Sequence, residues 1–369
     1  MTSAVRLESK VLRMAAGIAG LSAGDRLIEG PLKGHHHETY VIPLPDGSRG
    51  KVREPREGLL WFDRRCFASE EEVLLELAGH VSRIPTISEV GQGVLLQGFI
   101  EGRTVHRGVL PNRALSPKHQ KQLGQLFAEL VSFEIRNVGA RRLCDASDRP
   151  SDGDSHGFLM RLIHFTEERV YQEHGAPYHA LFAELGVQEG ALGGIKDLAG
   201  KLTERSFAFV HGDLHRRNFI VDGQRGDLWT IDWELAMIGD PLYDLATHLH
   251  LMRYPVKEAG RVTELWRRAV EDRRSECVKG WDVDLKVLLA YKRAQSVYTD
   301  VIRAVLALRG PGPEPDLRRL PLVAWRVQQA LAAARQPLGL RSVPSVRQVI
   351  SAYANWFRTR SPMTTDSAL

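Results

Sequence analysis

The chain is poor in cysteine. It has three, Cys66, Cys144 and Cys277, widely spaced and in no pattern of a metal site or a disulfide framework. That argues against a small disulfide-stapled secreted domain and fits a reducing cytoplasm. Long apolar runs are absent too, so nothing in the sequence reads as a membrane span. The first twenty residues carry Arg6, Glu8, Lys10 and Arg13, which interrupt the apolar core a signal peptide needs. Val11, Leu12, Ala15, Ile18 and Ala19 instead form a helical stripe. Aromatic residues make up only 7% of the chain, and no Lys/Arg block interleaves with them. The formal net charge of +5 therefore reads as solvated helix faces, and no nucleic-acid partner is expected. No internal repeat is visible. What remains, 43% hydrophobic and 26% charged over 369 residues, has the balance of one large globular domain or two modest ones.

The first hundred residues alternate like strands. Arg26 to Glu29 and Thr39 to Leu44 are candidates, and Gly50 to Glu54 returns after the turn Pro45-Asp46-Gly47-Ser48, where Asp-Gly tolerates positive φ. Ser69 can cap a helix over Glu70 to His80, with acidic residues in its first turn. Val94 to Ile100 reads as another strand, ending at Glu101-Gly102. Beyond it the pattern becomes helical. Ser116-Pro117 opens a helix, and Asp145 to Gly157 reads as a polar loop. Helices are then expected near 158–174, 180–185, 195–204, 240–252, 262–278, 285–308, 322–334 and 345–358.

One segment carries the chemistry: His211-Gly212-Asp213-Leu214-His215-Arg216-Arg217-Asn218, followed by Ile231-Asp232-Trp233-Glu234. Asn218 enters an apolar strand, Phe219 to Val221. Asp222 to Asp227 is a polar loop, and Leu228 to Ile231 is the returning strand. A hairpin brings its open ends together, so Asn218 and Asp232 should lie side by side. Two oxygen-bearing side chains suit Mg2+. Asp213, just upstream on a tight loop, can take a proton from an incoming hydroxyl. A second reading puts His211, Asp213 and His215 on one face of a strand, as zinc ligands.

These motifs, HGDLHRRN, IDWE and the following GDPLYDLA, resemble those of the aminoglycoside phosphotransferase and choline kinase family, the small-molecule branch of the protein-kinase-like fold. The resemblance implies a bilobal α+β fold: a small β-rich nucleotide-binding lobe over residues 1–101 and a larger helical lobe over 102–369. It implies ATP or GTP as phosphoryl donor, Mg2+, and a small-molecule hydroxyl as acceptor, in a monomer or homodimer. Asp213 would be the catalytic base, and Asn218 and Asp232 would hold the metal. His211 and Asp244 would support the loop, with Asp240 capping the helix on which Asp244 lies. Arg216 and Arg217 replace the Pro-Gly of many members, altering the loop's charge. The family's phosphate-covering turn falls on Gly30 to His37, where Gly34 and His35 are candidates; His35 and His37 could also bind metal if they shared a strand face. Arg53, or failing it Lys51, supplies the cation for the phosphates, paired with Glu70 or, less well, Glu71. Gln97 and Phe99 lie where the family reads the purine edge with backbone groups.

The acceptor is less legible. The resemblance suggests an antibiotic O-phosphotransferase conferring resistance, acting on an aminoglycoside or another sugar- or nucleoside-containing compound. Asp145, Asp148, Asp152, Asp154, Glu167 and Glu168 could line a pocket for a polycation, though the net charge gives that no support. Trp266, Trp281, Tyr291 and Tyr298 could converge into a choline cage. A metabolic kinase for choline, homoserine or a pentose derivative, or a catalytically silent nucleotide-binding scaffold, are the alternatives.

Overall fold

A computed structural model describes residues 29–32, 37–44, 46–55, 60–89, 95–105, 114–309 and 314–359, together with Gly17 and Gly20. The expected N-terminal helix stripe, most of the Arg26 to Glu29 strand, and Gly34 and His35 lie outside the described residues. A five-stranded antiparallel sheet in the order β1-β2-β3-β5-β4 is built from β1 (Glu29–Leu32), β2 (His37–Pro43), β3 (Arg49–Pro55), β4 (Ile87–Glu89) and β5 (Leu95–Gly98). The β2–β3 turn forms where Asp-Gly was read. Asp46 Oδ1 accepts from the Ser48 backbone N–H and hydroxyl at 2.9 and 2.6 Å, and Gly47 has φ +80°. Gly30 and Leu32, assigned from sequence to the phosphate turn, belong to β1 instead. A Cβ at Gly30 would lie 2.8 Å from the Thr39 carbonyl oxygen, so close strand pairing rather than loop mobility accounts for that glycine.

Helix α1 (Glu70–Leu77) starts at Ser69, whose hydroxyl accepts from the Glu71 and Glu72 N–H groups. It buries Glu70, Val73, Leu74 and Leu77, the first of these facing β3. The chain then leaves the sheet. β6 (Gly102–Thr104) pairs not with β5 but with β8 (Phe219–Asp222), which pairs with β9 (Leu228–Thr230). Glu101 is thus the point at which the backbone passes from the large sheet to the hairpin sheet. Gly102 is required there, because a Cβ would meet the Val221 carbonyl oxygen at 2.3 Å.

The remainder is mainly helical. α2 (Pro117–Ser132) is followed by α3 (Ser155–Phe165), which continues as a π-wound stretch, Thr166–His174. α4 (His179–Glu184) and α5 (Gly193–Ala199) lead to β7 (Ala208–Val210), which pairs with β10 (Met237–Gly239). α6 (Leu242–Met252), α7 (Val256–Glu271), α8 (Trp281–Arg309), α9 (Leu320–Ala333) and α10 (Val346–Thr359) complete the order. The 29-residue α8 is the spine, packing against α6 and α9. Arg205, fully buried, is clamped between Asp240 and Asp284; Asp240 also accepts from the Leu242 N–H at 2.9 Å, opening α6 as expected. Among the described residues no helix is long and apolar enough to cross a membrane.

Candidate active site

The loop between β7 and β8 is held from below by Asp244, in the first turn of α6. Its carboxylate accepts the His211 N–H at 2.8 Å and the Gly212 N–H at 2.7 Å. Gly212 has φ +79°, and a Cβ there would lie 2.5 Å from the Leu235 carbonyl oxygen, so only glycine fits. Burial pushes Asp244 up to about 6, against the two N–H groups that favour its charge.

His211 is a structural strut. Its Nδ1 accepts from the Asp213 N–H at 3.2 Å, so its Nε2 carries the proton and donates to the Ile231 carbonyl at 3.1 Å. Burial holds it down to about 4, hence neutral. Its ring packs on Trp233 at 4.5 Å between centroids. With both nitrogens engaged and the segment wound as a loop, the zinc reading of His211, Asp213 and His215 is overturned.

Among the described residues, the contacts of the Asp213 carboxylate fall on Oδ2. Asn218 Nδ2 donates to its carbonyl at 2.9 Å and to Oδ2 at 3.0 Å. His215 Nε2 lies 3.4 Å from the same Oδ2, while its Nδ1 accepts from the Arg217 N–H. Burial, then the charges of Asp63 and Asp232, push Asp213 well above the usual carboxylate range; Lys292 and Asn218 pull the other way. The two arginines after His215 point different ways. Arg216 is buried, donates to the Met252 carbonyl at 3.4 Å and lies over Tyr254, while Arg217 is exposed.

The hairpin brings its ends together: the Ile231 N–H donates to the Asn218 carbonyl at 2.9 Å. Asp232 follows with φ +69°. Burial opposes its ionisation, but Arg53, Lys51 and His211 hold it below the usual range. The donor set fits Mg2+. Asn218 has spent its amide nitrogen on Asp213, leaving its carboxamide oxygen, and Asp232 contributes an ionised carboxylate. Two protein oxygens, with the remainder from water and phosphate, is how that cation is usually held.

Above the hairpin, Arg53 on β3 ties the two parts of the molecule together. It is ion-paired with the buried Glu70 of α1, and its Nη2 reaches Glu234 at 3.2 Å and Asp232 at 3.5 Å. The same nitrogen donates to His37 Nδ1 at 2.8 Å. Burial and then Arg53 hold His37 down to about 4, so it is a neutral acceptor. Lys51 shares the face of β3, as its spacing predicts. Its ammonium lies 3.5 Å from Gln97 Oε1, and burial and then Arg53 bring it down to about 8. Glu71 is not the partner of the β3 cation: it accepts from Gln97 Nε2 at 2.9 Å. The Phe99 N–H donates to the Arg49 carbonyl at 2.8 Å, and its ring lies under the Arg49 guanidinium. The side chains of Gln97 and Phe99 thus serve the sheet.

Several groups escaped the sequence reading. Glu234 and His37 complete the shell around Arg53. On the acceptor side Asp63, held by Gln295 Nε2 at 2.7 Å, and Lys292, whose ammonium donates to the Tyr243 hydroxyl at 3.2 Å, both act on the Asp213 charge. A signal was present for two of them: Lys292 and Gln295 are polar residues on the buried face of α8. Four of the six acidic residues proposed for a polycation pocket are otherwise engaged, while Asp145 and Glu168 are exposed. Asp148 pairs with Arg64 and Arg161, Asp152 accepts from the Phe207 N–H, Asp154 caps α3, and Glu167 pairs with Lys196. The choline cage is not formed either, since Trp266, Tyr291 and Tyr298 are buried in the helical core.

A β-sheet region over a larger helical part is the arrangement of the protein-kinase-like fold. A profile of the phosphotransferase enzyme family matches residues 31–278, and the chain belongs to that family. Among solved structures it is similar to a Ralstonia eutropha protein assigned as an aminoglycoside phosphotransferase, at 15% identity and TM-score 0.50, covering 89% of this chain and 92% of that one. It is also similar to a choline kinase from Cryptosporidium parvum, at 11% identity and TM-score 0.51, covering 95% and 100%. At these identities the likeness is one of fold. No curated protein sequence matches the chain.

Proposed function

We propose that this chain transfers the γ-phosphoryl group of ATP or GTP to a hydroxyl of a small molecule. One observation carries the reading: Asn218 donates to both the carbonyl and the carboxylate of Asp213, while its own carbonyl is pinned beside Asp232. A single hydrogen-bond chain thereby joins the group suited to an acceptor with those suited to a metal. Asp213 Oδ2 is occupied by Asn218 and His215, so Oδ1 orients the acceptor hydroxyl and takes its proton. Its raised pKa brings it nearer the range of an effective base. Asn218 and Asp232 supply oxygens to Mg2+, which when bound neutralises charge on the β- and γ-phosphates. Arg53, fixed by Glu70, and Lys51 present positive charge on one face of β3 toward the phosphates. The purine edge falls to backbone groups between Gly98 and Ile100. Positioning and electrostatics carry the catalysis.

The acceptor we favour is a sugar- or nucleoside-containing antibiotic with little positive charge. Four of the six acidic side chains that a polycation could use are spent on internal contacts, and the buried Lys292 bears on the catalytic aspartate. The test is Mg-dependent nucleotide consumption against a panel of aminoglycosides, macrolides, nucleoside antibiotics, choline, homoserine and pentoses. Turnover confined to choline, homoserine or a pentose would replace the antibiotic reading with a metabolic kinase. Tight nucleotide binding without turnover on any hydroxyl compound would indicate a silent scaffold.

A further inference from the structure

Cys66 and Cys144, unrelated by spacing in the sequence, meet in the fold, in a pocket whose lining includes none of the residues assigned to phosphotransfer. Cys66 lies in the segment leading into α1, and Cys144 in the stretch between α2 and α3. Phe67 and Arg142 form an isolated antiparallel bridge. The Leu143 N–H donates to the Cys66 carbonyl at 3.0 Å, and the Ala68 N–H to the Arg141 carbonyl at 2.8 Å. Both cysteines line one small pocket together with Arg64, Arg142, Arg149 and Asp148. Arg64 is paired with Asp148, which leaves an excess of positive charge at the sulfurs.

The two thiols face one pocket from segments joined by the Phe67–Arg142 bridge. The Cys66 contact, with Arg149 and Arg64, outweighs burial and holds Cys144 down to about 5, while Cys66 is pushed well up by that same contact and by burial. Of the two, Cys144 is the thiol more readily ionised. Cys277 shows what an inert thiol looks like here: it is fully buried, donates to the Ser206 carbonyl at 3.4 Å, and is pushed up to about 11 by burial.

We propose that Cys66 and Cys144 form a redox-reactive dithiol site that exchanges with anionic low-molecular-weight disulfides and closes reversibly to an intramolecular disulfide. The Cys144 thiolate attacks one sulfur of the disulfide, forming a mixed disulfide and expelling one thiolate. Cys66 gives its proton to that leaving group and attacks Cys144 Sγ, expelling the second thiolate. One disulfide is made and one is reduced, so no other oxidant is needed. The arginines select the partner, because guanidinium groups bind carboxylates of the incoming disulfide. The closed bond would tether the segment whose two ends carry Asp63 and Glu70.

The test treats the reduced full-length chain with oxidised glutathione, then alkylates free thiols and maps peptides by mass spectrometry. The wild-type chain is expected to give a linked Cys66–Cys144 peptide pair, with Cys277 still free. Cys66→Ser is expected to stop at a glutathionyl adduct on Cys144, and Cys144→Ser to react about tenfold more slowly or worse. Cystamine, a cationic disulfide, should react more slowly than oxidised glutathione, and Arg149→Gln should narrow that gap. Free, alkylated Cys66 and Cys144 in the oxidant-treated wild type would overturn the site, a result that depends on no variant folding. Equal rates for the two cysteine variants would remove the assigned order of attack, and equal rates for the two disulfides would remove the anion selectivity.

Discussion

Asn218 holds Asp213 twice, through the backbone carbonyl at 2.9 Å and through the carboxylate at 3.0 Å. The residue proposed to meet the metal therefore also fixes the residue proposed to meet the acceptor. Damage to either should be felt at both.

Asp213→Asn removes the proton acceptor while keeping its shape. Turnover is expected to fall about 100- to 10,000-fold, with nucleotide affinity retained. Steady-state kinetics beside a nucleotide-binding titration checks this. A variant with near-wild-type turnover would remove Asp213 from the role of base.

Asn218→Ala should lower turnover and raise the Mg2+ concentration needed for half-maximal rate, since an oxygen donor and the anchor of Asp213 go together. Asn218→Asp restores an oxygen but sets a carboxylate against the Asp213 carboxylate. It should recover part of the Mg2+ response without recovering turnover. A Mg2+ titration of all three proteins separates the two losses; a parallel recovery of both would show that the anchor does not matter.

Asp244→Asn tests the brace beneath the loop. An amide offers one oxygen where the carboxylate accepts two N–H groups, so one buried N–H loses its partner at a cost of about 1–3 kcal/mol. The pH dependence has a definite sign. The folded pKa of about 6 lies above the ordinary 3.8. The folded state thus favours the protonated acid, and the wild-type contribution from this group is greatest below pH 4 and declines as pH rises through 6. The decline amounts to roughly 3 kcal/mol. Denaturant unfolding from pH 4 to 7 should show the wild type losing stability relative to Asp244→Asn; a constant difference contradicts the shift.

Arg53→Met should destabilise the fold by about 3–5 kcal/mol, because Glu70 and Glu234 are left buried without their cation. It should also weaken nucleotide binding. Lys51→Met breaks no ion pair as close as that of Arg53 with Glu70: its ammonium meets the Gln97 carboxamide, and it acts on Asp232 only through space. Any loss of nucleotide affinity there should come with little loss of stability. Unfolding curves and nucleotide titrations on both variants tell phosphate contact from scaffolding.

Legibility followed the range of the interactions. The Asp46-Gly47 turn, the Ser69 cap and the Phe219–Thr230 hairpin are local, and their residues state their backbone geometry directly. The pairing of a β3 cation with a helix glutamate came from the family resemblance, with Lys51 and Glu71 as alternatives, and the fold joins Arg53 to Glu70. The Asp244 brace was readable from its place one turn after Asp240. Glu234 was in view within the quoted motif and received no role, since only its approach to Arg53 gives it one. His37 was overshadowed by the run to which it belongs. For the acidic residues between Asp145 and Glu168 the charge was visible in the sequence, and the partners that engage Asp148, Asp152, Asp154 and Glu167 were not.

The sequence by itself determined the family and, as our reading, the reaction class, because HGDLHRRN and IDWE set hydrogen-bonding groups at intervals that a short hairpin converts into one cluster. Tertiary structure alone decided what surrounds that cluster. Asp63 reaches it from the segment before α1 and Lys292 from α8, while Cys66 and Cys144 meet across the bridge between Phe67 and Arg142. Such contacts depend on how separate elements pack, and periodicity along one element carries no information about what faces it from another.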